Sequence, residues 1–188
     1  MVSKREQLLD AALAVFRERG YHAAGIDTIL ARAGVAKMTL YKHFRSKEDL
    51  VLAALRRADE DSRRWLIGEM ERRASDPRGR LLALFDAAAD WFASPDFRGC
   101  LFVRASSEFT DADDPVRAAC HEHNTLLKRH LRDLARDAGA VEPAALAEQV
   151  FILFVGAIAA AQCCGTPGPA RSAREAASAL LERALPSR

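Results

Sequence analysis

Residues that break helices are few in this chain of 188: it has 10 Gly and 7 Pro. The same rows hold 37 Ala, and Ala is the strongest helix former while Gly and Pro are the weakest. That imbalance excludes a collagen-like chain and predicts an all-α protein. Cysteine is also scarce. The four present, Cys100, Cys120, Cys163 and Cys164, show no CxxC spacing and two are adjacent, which argues against a disulfide framework. They read as small buried hydrophobes, with Cys163 and Cys164 at a helix end. Long apolar runs are missing too. The longest, Val150 to Ala161, contains Gly156 and is short of the roughly 20 residues of a membrane helix, so no membrane partner is expected. Residues Met1 to Leu13 lack the apolar core and cleavage site of a secretory signal, and a cytoplasmic location is expected. No GxSxG, GxGxxG, P-loop or HExxH pattern occurs, so the sequence offers no catalytic residues and no cofactor.

A hydrophobic fraction of 49% beside 29% charged residues is ordinary globular composition and excludes wholesale disorder. The net charge is only +2, but its distribution is uneven. Residues 1–47 hold nine Lys or Arg and four Asp or Glu, a balance of +5 that leaves −3 for the remainder. A basic head on a mildly acidic body points to a polyanion that meets the N-terminal part.

Ser3-Lys4-Arg5-Glu6 is a capping box that starts a helix, with Leu8, Leu9, Ala12, Val15 and Phe16 on one face and Gly20 as its stop. Two short helices follow, about Ile26 to Ala33 and Lys37 to Phe44, joined by a turn centred on Gly34. Such a turn between short helices is the helix-turn-helix signature. Ile29, Val35 and Leu40 are spaced to fill the wedge between them, which fixes the outer face of the second helix. That face carries Lys37, Met38, Thr39, Tyr41, Lys42 and His43 and no acid, and it suits a major groove. Ser46-Lys47-Glu48-Asp49 is a further cap, with Asp49 in the usual Glu position. A long helix runs from Lys47 into the low seventies, and a phosphate at its N-terminus would gain from both the dipole and the Lys47 ammonium.

Asp76-Pro77 and Asp114-Pro115 each set a capping acid before a proline at the first helical position, and Glu142-Pro143 looks similar. Helices are expected over Pro77 to Ala93, Gly99 to Phe109, Pro115 to Ala138, Pro143 to Cys163 and Ala170 to Leu185. His121-Glu122-His123 invites a metal reading, but residues two apart on a helix point about 200° apart, so the two imidazoles cannot share an ion and no metal site is expected.

The run from Gly20-Tyr21 through Ile26-Asp27-Thr28-Ile29-Leu30 and Ala33-Gly34-Val35-Ala36-Lys37-Met38-Thr39-Leu40-Tyr41-Lys42-His43-Phe44-Arg45-Ser46-Lys47-Glu48-Asp49-Leu50 closely resembles the N-terminal domain of TetR-type transcriptional regulators. The resemblance covers roughly the first 50 residues, and the helical remainder is similar to that family's ligand-binding and dimerisation domain. It implies a helix-turn-helix DNA-binding domain over 1–47 and a helical ligand-binding and dimerisation domain over 48–188, about nine helices in all. The implied DNA contacts are Thr28, Lys37, Met38, Thr39, Tyr41, Lys42, His43 and Lys47, with Tyr41 and Lys47 on phosphates. Some positions depart from the family pattern. Ala24-Gly25 stands where a hydroxyl residue usually caps the second helix, and Ala36 stands where Ser caps the recognition helix, removing about 1 kcal/mol. Leu30 and Met38 replace small residues.

The partners implied are a pseudo-palindromic duplex, a small-molecule effector and a second copy of the chain, paired through the last two helices. Val150 to Ala161 is apolar around its circumference, which predicts burial on every side. Ala170, Ala173, Ala177, Leu180, Leu181 and Ala184 form a smooth stripe on the last helix. Phe85, Trp91, Phe92, Phe97, Phe102 and Phe109 gather between Phe85 and Phe109, and Trp91, Phe102, Phe109, His123, Phe151 and Phe154 are candidates to line an apolar ligand pocket. The function expected is a DNA-binding regulator, a repressor released by an apolar or aromatic ligand. The alternative is a helical ligand-binding or interaction protein whose N-terminal bundle has lost its grip on DNA.

Overall fold

The computed structural model describes residues 3–185, and among them it has nine α-helices and no strand. They are α1 Lys4–Arg19, α2 Ile26–Ala33, α3 Lys37–His43, α4 Lys47–Arg73, α5 Pro77–Ala93, α6 Leu101–Glu108, α7 Pro115–Asp137, α8 Pro143–Cys164 and α9 Gly168–Ala184. The boundaries expected from caps and spacing are found to within two residues, because local chemistry sets them. Asp76 accepts from the Gly79 N–H at 2.9 Å, and Asp114 accepts from the Val116 N–H at 2.7 Å. Ser3 accepts from the Glu6 N–H at 3.1 Å. The Glu6 carboxylate, expected to complete that box, pairs instead with Arg57 of α4. Glu142 stands at the N-cap of α8 but makes no side-chain cap bond. Its extra methylene does not suit the amides that an Asp reaches.

The chain divides into two compact units. The first runs to Ser62 and includes Cys100–His123, so α6 and the start of α7 belong to the same unit as α1 to α3. Its core joins Leu8, Leu9 and Phe16 of α1 to Ile29, Leu40, Leu50 and Leu55, with Phe102 and Ala105 of α6. Burying each of these large side chains contributes about 1.5–3 kcal/mol.

The second unit comprises residues 63–99 and those from 124 onward. In it α9 packs against α5 and α8. The small residues Ala170, Ala173 and Ala177 are buried along α9 and allow close approach. Phe85 of α5 meets Phe154 of α8 edge to face at 6.5 Å. Burial of α8 on every side does not hold in the single chain. Leu146, Val150, Phe154 and Ile158 are buried, but Ile152 is 59% exposed, and Gly156 and Ala159 are exposed as well. One chain's core takes one face of this helix, and among the described residues the exposed positions include the apolar Ile152, Gly156 and Ala159 beside the polar Glu148, Gln149 and Gln162. By length and composition α8 could also cross a membrane, with 22 residues and a mean hydropathy of 2.0, a longer span than the Val150 to Ala161 run alone. One face of it packs on α5 and α9. Cys120 is buried and Cys100 half-buried, but Cys163 and Cys164 are exposed, contrary to the burial expected for them. The residues around them in the turn, Gly165 to Pro167, are exposed too, so none of the described residues buries the end of α8.

Candidate nucleic-acid interface

The geometry of α2 and α3 follows from one glycine and three apolar side chains. Gly34 ends α2 at φ 62° and ψ 38°, a left-handed conformation that an L side chain adopts only at a cost. The N–H groups of Gly34 and Val35 then bond to the Leu30 carbonyl, the latter at 3.3 Å. That pattern closes the helix end and turns the chain into α3. Ile29 and Leu40 are fully buried, and Val35 packs against the same cluster. α3 is therefore held by its inner face. Neither short helix has a side-chain cap: Gly25 precedes α2, and Ala36 precedes α3, without a side-chain bond.

The outer face is open. Met38 is 86% exposed and Tyr41 49% exposed. Lys37, Lys42 and His43 are exposed, whereas Thr39 is half-buried and Thr28, on α2, likewise. No acidic residue lies in the first turn of α3. Lys47, at the start of α4, donates its ammonium to the His22 carbonyl at 3.1 Å. An ammonium has three donors, so two remain for a phosphate. The Ser46 hydroxyl accepts from the Asp49 N–H at 3.2 Å, and Asp49 accepts from the Arg45 N–H at 3.0 Å, so the expected cap forms around Asp49. Glu48, next to Lys47, has its carboxyl held below the ordinary carboxylate range by the backbone amide of its own helix turn, then by Ser46.

A basic, acid-free rod offered to solvent beside a helix N-terminus is a surface for a duplex. Comparison with known proteins agrees. Residues 8–54 match the model of the bacterial regulatory proteins of the tetR family, and residues 77–177 match the tetracyclin repressor-like C-terminal domain. The chain belongs to the TetR family. It is a DNA-binding transcriptional regulator of the helix-turn-helix class, as are its relatives. It is 32% identical over 175 residues, 89% of this chain and 80% of the other, to the transcriptional regulator AcuR of Cereibacter sphaeroides. It is 47% identical over 108 residues, 57% of this chain, to the transcriptional activator FasR of Mycolicibacterium smegmatis, of whose length that match spans 48%, about half. A TetR-family regulator from Streptomyces coelicolor superposes with a TM-score of 0.89 at 30% identity, covering 96% of this chain and 95% of that one.

The residues singled out as pocket candidates fall in both units. In the first, the Phe102 ring stacks on His123 at 3.6 Å and 5°, and His123 Nδ1 lies 2.7 Å from Asp59 Oδ1. Phe109 packs against the rings of Tyr21 and His22. In the second, Trp91 meets Trp65, Phe92 and Phe97, Phe154 meets Phe85, and Phe151 lies under the Lys128 ammonium at 5.4 Å. Among the described residues no three His, Cys, Asp or Glu side chains are grouped to hold a metal ion.

Contacts that the sequence does not announce join α6 to the α1–α2 turn. The Glu108 carboxylate accepts from the Tyr21 N–H at 2.9 Å and the His22 N–H at 2.7 Å. Arg104 donates to the Phe16 and Arg17 carbonyls at 3.1 and 3.0 Å, where a cation at the end of α1 also meets the helix dipole favourably. The Tyr21 hydroxyl donates to the Leu101 carbonyl at 3.1 Å. Its pKa is pushed far above the ordinary phenol value, by burial first and then by Cys120 and Cys100.

Proposed function

We propose that this regulator is a repressor that binds a pseudo-palindromic operator as a homodimer and is released by a small apolar or aromatic ligand. The observation that carries the DNA-reading part is the outer face of α3, basic and acid-free, on a helix anchored by Ile29 and Leu40. Lys37, Met38 and Thr39 lead into the groove and meet base edges, Lys42 and His43 follow, and Thr28, Tyr41 and Lys47 meet the backbone. Pairing through α8 and α9 is supported by the bare apolar face of Ile152, Gly156 and Ala159, beside the exposed Ala176 and Ala179 of α9. A two-fold axis there would set two copies of α3 roughly 34–36 Å apart, one turn of duplex. The ligand class is supported by the aromatic side chains of the second unit, among which Trp91, Phe151 and Phe154 are the candidates for contact.

Selection of bound fragments from random DNA tests the first part, with an inverted repeat as the expected product. A product without symmetry would refute the two-fold arrangement. A melting-temperature screen of apolar and aromatic compounds, followed by titration of the protein–DNA complex with those that bind, tests the second. Compounds that raise the melting temperature are expected to release DNA, because a ligand shifts a two-state equilibrium by its differential affinity. The reading of a helical protein with weak DNA binding draws on the uncapped starts of α2 and α3. An affinity for the selected duplex no better than for random sequence would favour it.

A further inference from the structure

We propose that Glu108 is a positioning residue for the phosphate contact of Lys47, acting through His22. The inference rests on the reading of Lys47 as a phosphate contact. The side chains lie far apart in sequence, and a single residue joins them in space. His22 gives its N–H to the Glu108 carboxylate at 2.7 Å, and its carbonyl receives the Lys47 ammonium at 3.1 Å. The His22 ring reinforces the link, with Nε2 2.8 Å from the Glu108 carbonyl, and packs on Phe109 at 4.9 Å. The Tyr21 N–H also donates to both carboxylate oxygens, at 3.1 and 2.9 Å. Two successive amides therefore point at one carboxylate, which pins the backbone entering His22, within the same residue as the carbonyl that receives Lys47.

The physical consequence concerns the ammonium more than the turn. A lysine carries a flexible four-carbon stem and a point charge, so where its charge sits depends on what holds it. Here the His22 carbonyl holds it, and Glu108 holds the residue that supplies that carbonyl. Arg104 grips the head at a different place, the last carbonyls of α1, with no link to His22. Of the polar attachments of α6 described above, through Leu101, Arg104 and Glu108, the Glu108 one continues through His22 to the N-terminus of α4. A shift of Glu108 reaches the phosphate-contacting charge through one residue, without any change in α3.

A double-mutant cycle tests this, using a fluorescein-labelled duplex selected by the wild-type protein and anisotropy over a salt series. Lys47→Ala should flatten the slope of log affinity against log salt by about one contact. Glu108→Gln, which keeps the shape of the side chain and removes its charge, should weaken binding about fivefold and flatten the slope by most of that same contact. In the Lys47→Ala background Glu108→Gln should change neither quantity. Arg104→Gln is the control, and its effect should add to that of Lys47→Ala. If Glu108→Gln proves too unstable to titrate, Glu108→Asp keeps the charge and retracts it by one methylene, and it should show the same non-additivity. Additive effects of Glu108 and Lys47, with Lys47→Ala itself effective, overturn the inference alone. A Lys47→Ala protein with unchanged affinity and slope overturns the phosphate reading beneath it.

Discussion

Gly20 and Gly34 both sit at helix ends with positive φ, and the structure assigns them very different costs on substitution. Gly34 lies at φ 62° and ψ 38°, and a Cβ built there meets nothing within 4 Å. Gly34→Ala therefore carries only the left-handed backbone cost, about 1–2 kcal/mol. Gly20 lies at φ 84° and ψ 176°, a region almost confined to glycine, where the backbone cost is about 1–3 kcal/mol. Its Cβ would also stand 2.6 Å from Glu108 Oε1, so the carboxylate must retreat from the Tyr21 and His22 amides. Loss of that charge-assisted bonding adds about 1.5–3 kcal/mol, and Gly20→Ala should cost about 3–5 kcal/mol in all. For a chain of this size each kcal/mol lowers the melting temperature by about 2–4 °C. Far-ultraviolet circular dichroism should then show a drop of about 6–20 °C for Gly20→Ala and a smaller one of about 2–8 °C for Gly34→Ala. Equal drops, or a larger one for Gly34→Ala, would refute the assignment of Glu108 as a clamp on the turn.

Other outcomes follow from single observations. Ala36→Ser supplies the missing cap of α3 and should raise stability by about 1 kcal/mol, read as a shift in the urea midpoint. Ile152→Asp changes a residue exposed in the protomer, so its folding cost should be small. It places a charge on the face of α8 proposed for pairing, and sedimentation should show the proposed dimer replaced by monomer. Burial holds the half-buried His130 imidazole below its ordinary pKa, against the opposing pull of Glu71 and Asp133, and Arg80 adds to the lowering. The unfolded chain therefore takes up the proton first. Stability that is full above the unfolded value of 6.5 is lost as the pH falls below it. His130→Gln should flatten the fall in urea midpoint between about pH 7 and pH 5.

What the sequence made legible was local. Asp before Pro, Gly after a periodic run and Ser three residues before an acid each act within one helical turn, and the nine helices appeared close to where these signals put them. The wedge of Ile29, Val35 and Leu40 was equally readable, since the turn fixes their spacing. Long-range pairings were not. Nothing at Glu108 marks it as the acceptor for amides 86 and 87 positions earlier, because backbone donors leave no trace in residue identity. The expectation for α8 is met on one face within a single chain, and the sequence does not say what meets the rest. Hydropathy tells that Ile152 and Ala159 avoid water, but not whether the neighbour that covers them belongs to the same chain. Cys163 and Cys164 were misjudged likewise, as the turn after α8 leaves them in solvent.

The central claim, that the outer face of α3 reads duplex DNA, is tested most directly by swapping the sign of its charge. Lys42→Glu keeps an exposed polar residue on the same helix and should leave the circular dichroism melt unchanged. Against the selected duplex its binding should fall well over tenfold, and the dependence of wild-type affinity on salt should be steep. Affinity unchanged by Lys42→Glu and a flat salt response would contradict the account.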